Sequence, residues 1–195
     1  AMGLTTKLEA VNIMISVIGE SPVNNLSSVG TPVPVTVVQA EATLEETSKA
    51  IQSEGWHFNT EYDYTLAPDA ASKKITLPVN TLRIDLDPST YTDVDPVQRG
   101  LKLYDRKKHT EEWQQSIKAI ITFHLVFEEL PEQFRHYITV KAARIYASRL
   151  LGSREIEGFA LRDEIEAKAR AIESDSENAD RTIFDNYSVL RVLDR

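Results

Sequence analysis

Four histidines, His57, His109, His124 and His136, are the residues a metal site would recruit. No two of them stand at the i, i+4 spacing that puts both imidazoles on one helix face, so no metal site is expected. Cysteine is absent, which removes disulfides, thiolate nucleophiles, iron–sulfur clusters and thiolate zinc sites together. Among seven glycines there is no Gly-x-Gly-x-x-Gly and no Gly-Lys-Ser/Thr, so no nucleotide cofactor is expected. No serine lies in a nucleophile elbow. The densest acidic motif is Asp85-x-Asp87 followed by Asp93-x-Asp95. A calcium loop opening at Asp85 needs glycine at its sixth position and glutamate at its twelfth. Thr90 and Pro96 stand there instead, and Asp87-Pro88 and Asp95-Pro96 read as turns of a surface loop.

Paired carboxylates are the working parts of glycosidases. Glu45/Glu46, Glu111/Glu112, Glu128/Glu129 and Asp163/Glu164 provide them in sequence. Neighbours diverge by about 100° on a helix and face opposite ways on a strand, so a working pair would have to be assembled from distant segments. The one basic cluster, Arg99, Lys102, Arg106, Lys107 and Lys108, is followed at once by Glu111 and Glu112 and reads as a solvated, partly self-neutralised loop. No catalytic, cofactor-binding or metal-binding residue is therefore assigned.

Several elements must position these side chains. Leu4, Leu8, Val11, Ile15 and Ile18 recur in steps of four and three, giving a first helix with one apolar stripe. Thr6 and Glu9 form a capping box at its start, and Gly19 stops it. An extended connector follows to about residue 36. A second helix is expected from Val37 to Gly55, with Val37, Ala40, Leu44, Thr47 and Ile51 on its inner side. Between Tyr62 and Phe127 the period changes to two. Strands are expected at 62–66, at Ile75 and Leu77, at 81–87, at Leu101 and Leu103, and along 117–127, joined by short polar turns into a mostly antiparallel sheet. Pro131 opens a helix that is apolar nearly all round, from Phe134 to Leu150, and hence central. Gly152 ends it, Ser153 caps the next helix, and Leu161, Ile165, Ala169 and Ile172 form the stripe of that last one.

The expected architecture is α+β. Residues 4–60 and 128–175 form a bundle of about four helices, 61–127 a β-rich insertion between the two helix pairs, and 176–195 a loose tail. Arg135, Arg144 and Arg149 are charges on a mostly apolar helix. Buried charge demands a partner, so these three, with Arg106 as a further candidate, are expected at contacts within or between subunits. The chain of 195 residues carries 30 acidic and 22 basic side chains, a net charge of -8. That sign argues against nucleic-acid capture by a basic surface. No apolar run approaches the roughly 20 residues of a membrane span, and the N-terminus lacks the pattern of a secretory signal. A soluble protein is expected.

Read in order, several segments resemble one family. They are LEAVNIMISVIGESPVNNL at 8–26, IQSEGWHFNTE at 51–61, TLAPD at 65–69, LPVNTLRIDL at 77–86, GLKLYDR at 100–106 and ELPEQFRHYITVKAARIYASRLLGS at 129–153. Together they look like the tail tubular protein A family of short-tailed, podovirus-type bacteriophages. The likeness spans about residues 4–175. Gly19-Glu20, Gly55-Trp56 and Tyr104-Asp105-Arg106 are its firmest pieces. The resemblance implies a helix bundle with a small β portion. It also implies a structural role: a ring, dodecameric in relatives, that joins the portal protein to a tail nozzle of the tail tubular protein B type. The ring would lie in the virion tail after assembly in the host cytoplasm, with duplex DNA passing through its channel. An acidic lumen would repel phosphate and let DNA slide, although net charge also serves solubility before assembly. The alternative function is a tail-associated hydrolase of cell-wall or capsule polysaccharide, motivated by the surplus of carboxylates.

Overall fold

The computed structural model of the chain describes residues 3–26, 32–152 and 154–184. Ser153, residues 27–31 of the connector and residues 185–195 of the expected tail lie outside them. The fold is α+β; the described residues form four α-helices and a small antiparallel sheet system of three plus two strands. It divides into two compact units, one made of 52–125 and the other of 1–51 with 126–195.

In the helical unit, α1 (Lys7–Val17) starts where the Thr6 hydroxyl accepts the Glu9 N–H. Its inner face is Ala10, Val11, Met14 and Ile15. Helix α2 (Val35–Gln52) buries Val37, Ala40, Leu44, Thr47 and Ile51, the spacing that one inward face requires. It begins two residues before the expected start and ends three before Gly55. Helix α3 (Glu132–Leu151) takes Pro131 as its N-cap, and the Pro131 carbonyl accepts from Phe134 and Arg135. Gly152 closes α3 in the left-handed conformation at φ 63°, which costs glycine little.

Nine residues of α3 are buried, including Phe134, Tyr137, Ile138 and Tyr146. Ile145 is only half-buried, and Leu150 and Leu151 are exposed. Helix α4 (Arg154–Phe184) packs on α3. It continues past Ser174, so 176–184 is helical where a loose tail is expected. Weak apolar patterning did not end the helix because neither glycine nor proline stands between Ser174 and Phe184.

In the β unit, strands β1 (Thr60–Leu66), β2 (Thr81–Asp85) and β5 (Ile117–Phe123) pair antiparallel in the order β1-β5-β2. Strands β3 (Pro96–Arg99) and β4 (Lys102–Asp105) form a separate hairpin. Ile117, Ala119, Ile121 and Phe123 bury the inner face of β5 against Leu66, Ile75, Leu77, Leu86, Leu103 and Trp113. The Trp113 indole donates to the Leu103 carbonyl at 3.0 Å. Asp63, at φ 53°, sits in a bulge between Glu61 and Tyr64.

Several strand expectations change. The strand expected over 81–87 ends at Asp85, and Pro96, expected in a turn with Asp95, opens β3. Ile75 and Leu77 lie in a segment held to β4 by one bridge, Thr76 to Lys102, rather than in a strand of its own. The strand expected to reach residue 127 ends at Phe123 because Leu125 has another partner. The Gln52 side chain donates to the Leu125 carbonyl at 2.9 Å and accepts the Leu125 N–H at 2.7 Å. Asn59, also buried, donates to the Gln52 and Phe123 carbonyls at 2.8 and 3.0 Å and accepts the Trp56 N–H. Both ends of the unit are thereby tied together by two amide side chains. Gly55 lies in the same corner at φ 79°, where any side chain is strained, and a Cβ there would also have to displace the Arg83 guanidinium from 2.5 Å.

Phe134→Ala should cost about 3–5 kcal/mol through the cavity it leaves, whereas Ile145→Ala at a half-buried position should cost clearly less. Urea unfolding checks the order. Asn59→Ala removes three hydrogen bonds from a buried corner and should cost about 2–3 kcal/mol, read in the same titration.

Candidate functional site

The four arginines singled out above occupy very different surroundings. Arg135 is 4% exposed. Its guanidinium donates to the backbone carbonyls of Leu130 (2.8 Å), Thr5 (2.8 Å) and Glu128, and lies over the Phe127 ring. Next to it, Glu132 accepts the Thr5 N–H at 2.9 Å and the Thr5 hydroxyl. The α3 N-terminus thus holds the segment leading into α1, and the cation is spread over oriented carbonyls. Sharing a buried charge among several acceptors is what makes its desolvation tolerable.

Arg144 meets Glu164 of α4 through both nitrogens of a fork, Nε to Oε2 and Nη2 to Oε1 at 3.3 Å. Glu164 is buried on the α4 face that packs on α3, between exposed neighbours and alongside Ala167 and Ala171. Arg149 makes a comparable fork to Glu46 of α2, at 3.2 and 3.3 Å, but in solvent. The Arg149 hydrogen bond and charge hold the Glu46 carboxyl below the usual carboxylate range. Arg106, in the β unit, is largely exposed; its backbone N–H donates to the Asp95 carbonyl, and its side chain lies 3.7 Å from the Asp95 carboxylate.

The other chemical candidates are dispersed. Glu45 goes to Lys7, which also holds Glu41, and Glu111 goes to Lys74. Asp87 accepts from the Ser89 hydroxyl and N–H and from the Thr90 hydroxyl, and these bonds keep its carboxyl low. It is the turn expected at Asp87-Pro88. Asp105 was not singled out, yet it is buried and accepts the Asp95 and Lys107 N–H groups at 3.1 and 3.0 Å. Only its place in Tyr104-Asp105-Arg106 pointed to it. Among the described residues no group of three His, Asp or Glu side chains is placed to hold a metal ion. No described helix is long and apolar enough to cross a membrane.

The apolar surface is more telling. Leu161, Ile165 and Ile172, expected to form the packing stripe of α4, face solvent. Glu164, Ala167 and Ala171 are buried instead. Small residues let two helices approach closely, and the Arg144–Glu164 fork fixes that face, so the larger apolar stripe is turned away. On α2, Val35 and Val38 are likewise exposed. Beside them, Gln39, Ala42, Thr43, Tyr146 and Leu150 line a cavity of about 300 Å³ between α2 and α3. Exposed apolar stripes of this kind mark surfaces that a partner covers.

Arg144→Ala should cost about 3 kcal/mol by leaving Glu164 buried without its cation. Arg149→Ala, at an exposed pair, should leave the midpoint of thermal unfolding nearly unchanged. Scanning calorimetry of the two variants distinguishes them.

No curated protein matches the chain. The sequence profile described as Tail tubular protein matches residues 8–181, across both units. The chain belongs to the tail tubular protein family and is a structural component of a phage tail.

Proposed function

We propose that this protein is the ring-forming adaptor of a short phage tail, joining the portal to the nozzle and lining the channel through which DNA leaves. Twelve copies, as the family resemblance implies, would close the ring. The observation that carries this reading is the exposed apolar surface on α2 and α4 of a family member. A subunit with apolar surface on two helices is suited to contacting a neighbour on each side, and head-to-tail contacts that close generate rings.

The charge balance fits the same role. A lumen rich in Lys and Arg would neutralise many phosphates and hold duplex DNA against its exit. A net charge of -8 per chain, repeated around a ring, favours passage instead. Assembly in the host cytoplasm and residence in the virion tail follow from that role.

Light scattering coupled to size exclusion, on the chain alone and with portal and nozzle proteins, tests the proposal. A mass near twelve times 22.0 kDa, or co-migration with those partners, is the expected result. A chain that stays monomeric and joins neither protein overturns it.

A further inference from the structure

Two exposed seams in the helical unit share one spacing. On α2, Val38, Ala42 and Glu45 follow one another at steps of four and three; on α4, Leu161, Ile165 and Lys168 do the same. Val38 is 52% exposed and Ile165 61%. Steps of four and three are those of helices that pair along a narrow seam. Ile172 extends the α4 seam by one more step of four, and Val35 extends that of α2 by one of three in the other direction.

The seams lie on opposite flanks of α3. Arg144 reaches α4 through Glu164, whereas Tyr146 reaches α2 by donating its hydroxyl to the Thr36 carbonyl at 2.8 Å. Two positions along a helix are about 200° of rotation. With α3 between them, the seams are arranged to engage different neighbours.

Their charges are complementary. The α4 seam is flanked between Leu161 and Ile172 by Arg162 and contains Lys168. The α2 seam contains Glu45, which shares the single ammonium of Lys7 with Glu41, at 2.7 and 3.0 Å. Glu45 is the acid of the α2 seam, as Lys168 is the base of the α4 seam. Aligning the two helices in parallel puts Val38 against Leu161, Ala42 against Ile165 and Glu45 against Lys168. The large Ile165 side chain then meets the small Ala42 on the wall of the 300 Å³ cavity, with Tyr146 and Leu150 opposite.

We propose that the α4 seam of one copy docks on the α2 seam of a second copy, in this parallel register, as a head-to-tail contact. The inference rests on the ring reading and deepens it by naming the faces that meet. A contact between two different faces leaves one of each free on the pair, so it propagates until the rotation closes.

A chain without cysteine makes the test clean. Val38→Cys and Leu161→Cys chains are prepared separately and together, and treated with a short bismaleimide, alone and in the presence of portal and nozzle proteins. A mixture of the two single variants should give one crosslinked species of twice the chain mass, and the double variant a ladder of multiples. Neither single variant should crosslink by itself. Ile165→Asp, at an exposed position, should lose assembly while keeping the wild-type melting curve. Self-crosslinking of Leu161→Cys alone would show a two-fold pairing of α4 and overturn the proposal. So would an Ile165→Asp chain that assembles as wild type does. If the wild-type chain oligomerises yet neither the mixture nor the double variant crosslinks, the seam assignment fails and the ring stands. If light scattering finds only monomer with and without the partners, both fail.

Discussion

The burial of α3 is the constraint on which the helical unit depends. A helix of this length that is apolar over most of its circumference must be covered on several sides; α1 and α4 pack on it, and α2 is joined to it through Tyr146 and Arg149. Each contact carries a polar bond that fixes where it forms. Arg135 and Glu132 hold Thr5 at the start of α1, Tyr146 holds Thr36 on α2, and Arg144 holds Glu164 on α4. Apolar burial drives the association but is indifferent to small shifts along a helix axis. The directional bonds remove that indifference, because a buried guanidinium displaced by one turn would lose its acceptors.

An insertion between α2 and α3 adds a second constraint: the inserted segment must begin and end at nearly the same place. Gln52 and Asn59 meet it by bonding to the backbone of Phe123 and Leu125. These amides take the hydrogen bonds that a longer β5 would have made with another strand. Leu125 and Phe127 keep the alternation of a strand in sequence, yet the backbone there serves closure. Closing the loop locally also limits the entropic cost of inserting more than seventy residues, a cost that grows only slowly with length.

What was legible in the chain follows from how many partners each element has. The continuous apolar run of α3 admits only a central position, and the period of two along 81–85 and 117–123 admits only strands, so both could be read directly. The α4 stripe was read as packing surface and is not packed within this chain. Periodicity shows that Leu161, Ile165 and Ile172 share a face, but says nothing of whether the covering partner belongs to the same molecule. The competing face, Glu164 with Ala167 and Ala171, has a weak hydrophobic signal; close approach and an ion pair select it, and neither is written in the pattern. Gln52, Asn59 and Asp105 escaped notice for a related reason, since a buried polar side chain that satisfies backbone groups leaves no spacing rule behind. The bulge at Asp63 is equally silent.

The exposed seams also bear on when assembly happens. Each is short, and each carries one charge, Glu45 or Lys168, where a permanent interface would carry another apolar side chain. On the ring reading such a seam would associate weakly at low concentration, and the net charge of -8 per chain would add repulsion among free subunits that grows as more of them gather. On that reading, both effects would protect free subunits from premature or open-ended association. A portal surface that binds several copies at once would, on the same reading, remove the obstacle, because it would raise their effective concentration and turn each successive contact into a near-intramolecular one. On the ring reading, the acidity that eases DNA through the finished channel thus also delays closure until a template gathers the subunits, so one charge distribution serves both assembly and ejection.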